Sequence, residues 1–216
     1  MHIHNPLSQQ PLCLICHKPI RKEPSLFTLV YDSPICASCL AQFEPLHYVG
    51  SFHDVKLTIL YRYNAFFQTL LFRYKGQYDY ELRNAFIVSD QRFLSDYYRS
   101  HVIVVAPSDD IANKKRGFIP TAGIASSFSS NIFTGLYKKS PFKQAEQSFE
   151  GRQKIKDVID IKNGEVLRKK KVLLFDDVIT SGSTLEKCLD LVCHYHPASI
   201  EIVILATRSY HLEKNI

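Results

Sequence analysis

Residues 172–184 read VLLFDDVITSGST, and no other stretch of the chain limits its fold so tightly. Val172, Leu173, Leu174 and Phe175 form a continuous apolar run, as in a strand covered on both faces. Two carboxylates follow, Asp176 and Asp177, and then a turn made of Thr180, Ser181, Gly182, Ser183 and Thr184. Helical periodicity begins at Ser183 and runs to His194. Successive backbone N–H groups in such a turn, backed by a helix N-terminus, form an anion nest. The hydroxyls add donors, and Gly182 lets the backbone approach a phosphate closely. Paired acids beside that nest would repel a bare phosphate. They suit a sugar phosphate whose free hydroxyls they accept from, or a magnesium-bound ligand. No Walker A loop occurs. A phospho-receiver domain also pairs acids after a strand, but near its N-terminal strand; here only one main strand, 199–206, follows.

The surrounding pattern alternates helices and strands. Residues 64–75 (NAFFQTLLFRYK) have apolar positions at helical spacing, with Asn64 as N-cap and Gly76 as terminator. Residues 80–88 and 121–128 read as further helices. Residues 102–106 (VIVVA), closed by Pro107, and 199–206 (SIEIVILA) read as buried strands. This alternation predicts an α/β fold with a mostly parallel sheet flanked by helices. In such sheets ligands bind beyond the carboxyl ends of the strands.

Ahead of this region stand Cys13, Cys16, Cys36 and Cys39, spaced C-x2-C, 19 residues, C-x2-C. That is the spacing of a structural zinc site, two knuckles completing one tetrahedron. So short a segment buries little core, so a metal would supply folding energy. Residues 26–31 between the knuckles read as a short strand. Four thiolates leave no open position for catalysis at zinc. Cys188 and Cys193 read as packing residues, and no Ser/His/Asp triad or glycosidase acid pair emerges.

The segment 172–184 resembles the phosphoribosyl pyrophosphate (PRPP) motif of type I phosphoribosyltransferases. The resemblance implies that Asp176 and Asp177 hold the ribose hydroxyls, that Thr180, Ser181, Gly182, Ser183 and Thr184 cradle the 5-phosphate, and that magnesium bridges ribose and pyrophosphate. Pro107 and Ser108 stand where such transferases place a pyrophosphate loop, followed by the basic Lys114, Lys115 and Arg116. With the four-Cys pair, the Tyr74-Lys75 helix end and the Arg116-Gly117-Phe118 step, residues 10–210 resemble the ComF/ComFC family of competence-associated proteins. The implied fold is a type I phosphoribosyltransferase-like domain (49–216) preceded by a small zinc-ribbon-like module (1–48). The family usually continues R-G-F-N-Q; here Ile119-Pro120 replace the amides. Gln144 and Gln147, in a polar stretch (138–156) resembling the hood over a transferase site, are candidate substitutes.

The chain of 216 residues carries a net charge of +6. Three basic clusters, 114–116, 138–156 and 168–171, together hold more positive charge than that whole-chain excess. Such patches suit phosphate-rich partners and permit single-stranded DNA, with Tyr and Phe for stacking. Arg168–Lys171 taken alone reads better as a solvated face guarding a buried strand. No apolar run reaches a membrane span, so no membrane insertion is expected. The start lacks a secretory signal, which points to the cytoplasm. The ComF/ComFC resemblance implies a cytoplasmic competence protein, acting in DNA uptake and natural transformation beside recombination or uptake proteins. It would contain structural zinc and bind PRPP with magnesium. An active phosphoribosyltransferase with an unidentified acceptor and a PRPP-sensing regulator are the alternatives.

Overall fold

The computed structural model describes residues 10–20, 33–139 and 159–208. The strand expected over 26–31, most of the 138–156 stretch, Gln144 and Gln147 lie outside them.

The elements in chain order are α1 (Ala37–Leu40), β1 (Pro45–Phe52), β2 (Val55–Arg62), α2 (Ala65–Gly76), a 3₁₀ turn (Tyr80–Ala85) and α3 (Gln91–Tyr97). Next come β3 (Val102–Val105), α4 (Asp110–Arg116), α5 (Pro120–Ala125), β4 (Ile132–Phe133), β5 (Leu136–Lys138) and β6 (Ile159–Ile161). A second 3₁₀ turn (Gly164–Leu167), β7 (Lys171–Ile179), α6 (Ser183–Cys193) and β8 (Ser199–Thr207) complete the described chain.

Six strands form one sheet in the order β1-β2-β8-β7-β3-β4. Only the β1–β2 hairpin is antiparallel; β2–β8, β8–β7, β7–β3 and β3–β4 run parallel. The continuous apolar runs of β3, β7 and β8 lie at its centre, where both faces need cover. On one face Leu173, Phe175, Val105, Val203 and Leu205 meet Phe67, Leu70 and Tyr74 of α2 and Ile124 of α5. On the other, Val172, Leu174, Ile202 and Ile204 meet Leu185, Cys188 and Val192 of α6. Cys188 is fully buried there, as a packing residue, whereas Cys193 is exposed.

Asn64 caps α2 by accepting the Phe67 N–H at 2.8 Å. The buried residues Phe67, Leu70, Leu71 and Tyr74 recur at i, i+3, i+4, i+7, the stripe that turns a helix toward a sheet. Residues 80–88 form only the short 3₁₀ turn rather than the expected helix. Pro120, whose fixed φ suits a first helical position, opens α5. The hairpin of β1 and β2 has no counterpart among the elements expected from the sequence. Its tip is His53-Asp54, both at positive φ (48° and 62°), the conformation that two-residue hairpin turns demand.

β1 runs through the expected boundary at residue 48. Cys13, Ile15, Ile35, Cys39 and Phe43 share one apolar cluster with Tyr61, Phe67 and Phe86, so the four-Cys segment is packed onto the sheet layer.

Candidate functional site

The chemistry gathers where β7 leaves the sheet. α6 starts at Ser183, and its N-cap, Gly182, takes the left-handed conformation (φ 79°) that glycine adopts without strain. The Gly182 carbonyl accepts the Glu186 N–H at 2.8 Å and closes the first turn. Thr180, Ser181, Ser183 and Thr184 are exposed around it, and the Ser181 and Ser183 hydroxyls lie 2.9 Å apart. These hydroxyls and the unpaired N–H groups of an 11-residue helix make a donor-rich rim. A cleft opens there, lined by Asp176, Thr180, Ser181, Gly182 and Thr184, with Ile179, Leu185 and Ile204 as its apolar floor.

Successive strand residues point to opposite faces, and this divides the two carboxylates. Asp176 lines the cleft beside the loop. Burial, and then the neighbouring Asp177 charge, push its carboxyl up to about 7, although it accepts the Asp177 N–H at 2.8 Å. Asp177, itself buried, faces α2 and forms an ion pair with Lys75. In the sequence Lys75 stands out only as part of a resemblance; 102 positions separate the partners, so no local pattern joins them.

The β3 end lies beside β7. Val105 is in register with Phe175, and the Ala106 N–H donates to the Phe175 carbonyl at 2.9 Å, so Pro107 and Ser108 leave the sheet next to Asp177. Asp109 caps α4 through the Ala112 N–H at 2.7 Å. Ser108 Oγ donates to Asn113 Oδ1 at 2.7 Å, and Arg116 Nη1 donates to the same oxygen at 3.2 Å. Arg116 Nε is buried without a hydrogen-bond partner among the described residues. Lys114 and Lys115 are exposed on α4. Ile119-Pro120 form the start of α5, where the Pro120 carbonyl accepts the Tyr74 hydroxyl at 2.8 Å. Arg168–Lys171 lie at the opposite end of β7, about 25 Å from the loop at strand rise, and do not line the cleft. Lys139, in the second cluster, pairs with Asp160 at 3.2 Å.

The four sulfurs of Cys13, Cys16, Cys36 and Cys39 all lie within 4.8 Å of one another. Cys16 and Cys36 Sγ are 3.7 Å apart. A tetrahedral zinc with Zn–S near 2.3 Å separates its sulfurs by about 3.8 Å, so the cluster fits that ion. The Ser38 hydroxyl draws the Cys36 thiol down to about 6, whereas burial and the neighbouring thiols push Cys39 up. Four adjacent sulfurs resist losing all their protons unless a cation joins them. The backbone supports the same geometry: Cys13 Sγ accepts the Cys36 N–H at 3.3 Å. Among the described residues, no helix is long and apolar enough to cross a membrane.

The phosphoribosyl transferase domain family matches residues 89–215, which include β3, the β3 loop, β7 and the α6 loop. Competence protein ComFC of Streptococcus pneumoniae (strain ATCC BAA-255 / R6) is 23% identical over 208 residues, covering 83% of this chain and 92% of that protein. Among solved structures, a hypoxanthine phosphoribosyltransferase from Staphylococcus aureus is 17% identical, covering 62% of this chain and 67% of that chain, with a TM-score of 0.40. A purine phosphoribosyltransferase from Pyrococcus horikoshii Ot3 is 20% identical, covering 57% of this chain and 72% of that one, also with a TM-score of 0.40. The ComFC likeness, the transferase match and the four-Cys cluster bear out the ComF/ComFC resemblance. With a match over more than half its length and a mostly parallel sheet carrying the site at its strand ends, the chain belongs to the phosphoribosyl transferase domain family.

Proposed function

We propose that the protein binds PRPP with magnesium and acts in the cytoplasm in competence, the uptake and handling of DNA. The observation that carries the binding claim is the shared cleft of Asp176 and the hydroxyl loop at the start of α6. The 5-phosphate takes the N–H groups and hydroxyls of 180–184. The ribose lies over the end of β7, within reach of Asp176 and Asp177. The pyrophosphate faces Pro107, Ser108 and Arg116, with Lys114 and Lys115 adding positive field. Magnesium, when bound with the ligand, would neutralise part of its negative charge. The word competence rests on the ComFC likeness. Zinc in the four-Cys cluster is structural in this reading, and single-stranded DNA is a further partner through the exposed cations.

Calorimetry tests the binding. Wild-type protein takes up PRPP in the presence of magnesium, and Asp176→Ala with Asp177→Ala abolishes the signal. Unchanged affinity in that variant refutes the ribose assignment. DNA binding should weaken steeply with salt if phosphates dominate it; a salt-insensitive signal removes that partner.

The family match over residues 89–215 favours a second reading, an active transferase. An acceptor nucleophile would attack C1 of the ribose as the C1–O bond to pyrophosphate breaks, with cations stabilising the leaving group. Pyrophosphate release with any base or amine acceptor would establish it and displace the binding-only reading.

A further inference from the structure

We propose that Lys75 is a binding residue for the diphosphate end of the ligand, presented by its ion pair with Asp177. This rests on the phosphoribosyl reading of the site and adds a residue to it.

Three consecutive side chains fix the C-terminal turn of α2. Arg73 Nη1 donates to the Ile15 carbonyl at 2.6 Å, and its Nη2 donates to Asp79 at 2.9 Å. The fully buried Tyr74 donates to the Pro120 carbonyl at 2.8 Å. Lys75 then reaches across to Asp177. A turn tied to three other segments holds its lysine in one place. That placement is over the end of β7, on the face shared by α2 and α5 rather than the α6 face.

Two features distinguish Lys75 from an inert buried pair. Its side chain is 31% exposed while that of Asp177 is 11% exposed, so the ammonium sits at the lip with its partner beneath it. Its partner Asp177 also borders the β3 strand end. Pro107 leaves the sheet beside Asp177, and Thr121 of α5 donates to the Ala106 carbonyl at 3.3 Å, closing α5 onto the same strand end. A ligand whose phosphate lies in the α6 loop and whose ribose crosses β7 therefore points its other anionic end toward Lys75. The long, rotatable lysine stem lets the ammonium exchange a carboxylate oxygen for a phosphate oxygen without moving the helix. That exchange leaves Asp177 free to accept a ribose hydroxyl. No covalent step is involved.

Calorimetry with two probes, PRPP–magnesium and ribose 5-phosphate, tests the assignment. Lys75→Met should weaken PRPP about tenfold or more and leave ribose 5-phosphate within about twofold. Lys75→Arg should retain most of the PRPP affinity. Should Met destabilise the fold by leaving Asp177 unpaired, Lys75→Gln keeps a donor to that carboxylate and serves the same comparison. Equal weakening of both probes makes Lys75 a scaffold residue and overturns the inference. PRPP affinity unchanged in the Met and Gln variants overturns it as well. Wild-type protein that binds neither probe fails the phosphoribosyl reading itself, a result distinct from either.

Discussion

The Arg73 guanidinium donates to the Ile15 carbonyl at 2.6 Å, joining the helix that carries Lys75 to the knuckle between Cys13 and Cys16. Two residues further along the same helix end, Lys75 pairs with Asp177. The four-Cys cluster and the end of β7 are thus separated by one turn of α2.

Arg73→Ala should lower stability by about 2 kcal/mol, the scale of a charge-assisted hydrogen bond to a carbonyl. For a chain of this size that is a drop in melting temperature of about 4–8 °C. Removal of metal by a chelator should also increase amide exchange at residues 73–76 before it does so in β7. Thermal melts and hydrogen exchange check the two parts. Protection at 73–76 that ignores the chelator would disconnect the cluster from the helix.

The raised carboxyl of Asp176 gives a pH dependence with a definite sign. Its folded-state value near 7 exceeds the unfolded value, so its contribution is fully present below about pH 4 and is lost as pH rises through 7. Burial and then the Asp177 charge raise it, while the Asp177 N–H bond, Lys75 and Lys138 oppose the rise; the Cys188 thiol, itself pushed up to about 12 mainly by burial, lies nearby. Asp176→Asn should therefore be more stable than wild type at pH 8.5, by about 1–2 kcal/mol after allowing for screening of a half-buried group, and equal at pH 4. Melting curves across that range decide it. PRPP–magnesium affinity of the wild type should climb between pH 6 and 8, because the ionised carboxylate is the better acceptor.

Gly182→Ala places a Cβ 3.1 Å from the Phe52 ring in a backbone with φ of 79°. The left-handed conformation alone costs about 1–2 kcal/mol for a residue with a side chain. Phosphate and PRPP affinity should both fall by about tenfold as the loop shifts to relieve it. Adding Phe52→Ala removes the contact but not the backbone cost, so only partial recovery is expected in calorimetry.

Tyr74→Phe deletes one hydroxyl and with it the buried hydrogen bond to the Pro120 carbonyl. The cost should be about 1 kcal/mol, read as a lower melting temperature. If Tyr74 serves only to fill space, the variant will melt with the wild type.

Much of the central sheet was legible because both-face burial leaves a mark in composition: β3, β7 and β8 appear as uninterrupted apolar runs. Asn64 and the stripe behind it announced α2 for the same local reasons. The hairpin was not legible. His53-Asp54 lacks the glycine that usually signals a two-residue turn, and β2 gains its place by pairing with β8, more than 140 positions away. The helix expected over 80–88 shortened to a 3₁₀ turn against α2 and α5. The strand, turn and helix of 172–184 were readable as a linear motif, whereas the pairing of Lys75 with Asp177 required the folded chain. The expected boundary at residue 48 followed the change from the four-Cys spacing to alternating helices and strands; β1 spans it, and Cys13, Ile15 and Phe43 share an apolar cluster with Tyr61 and Phe67.

The pleat of β7 gives the two aspartates separate surroundings. They stand side by side in the chain, yet one faces the hydroxyl loop and the other a lysine on a distant helix. Neither can stand in for its neighbour, so the doubled acid offers no spare copy. Deleting a single residue between Val172 and Phe175, with the start of the strand held, would turn each carboxylate to the opposite face, away from the partner it meets now.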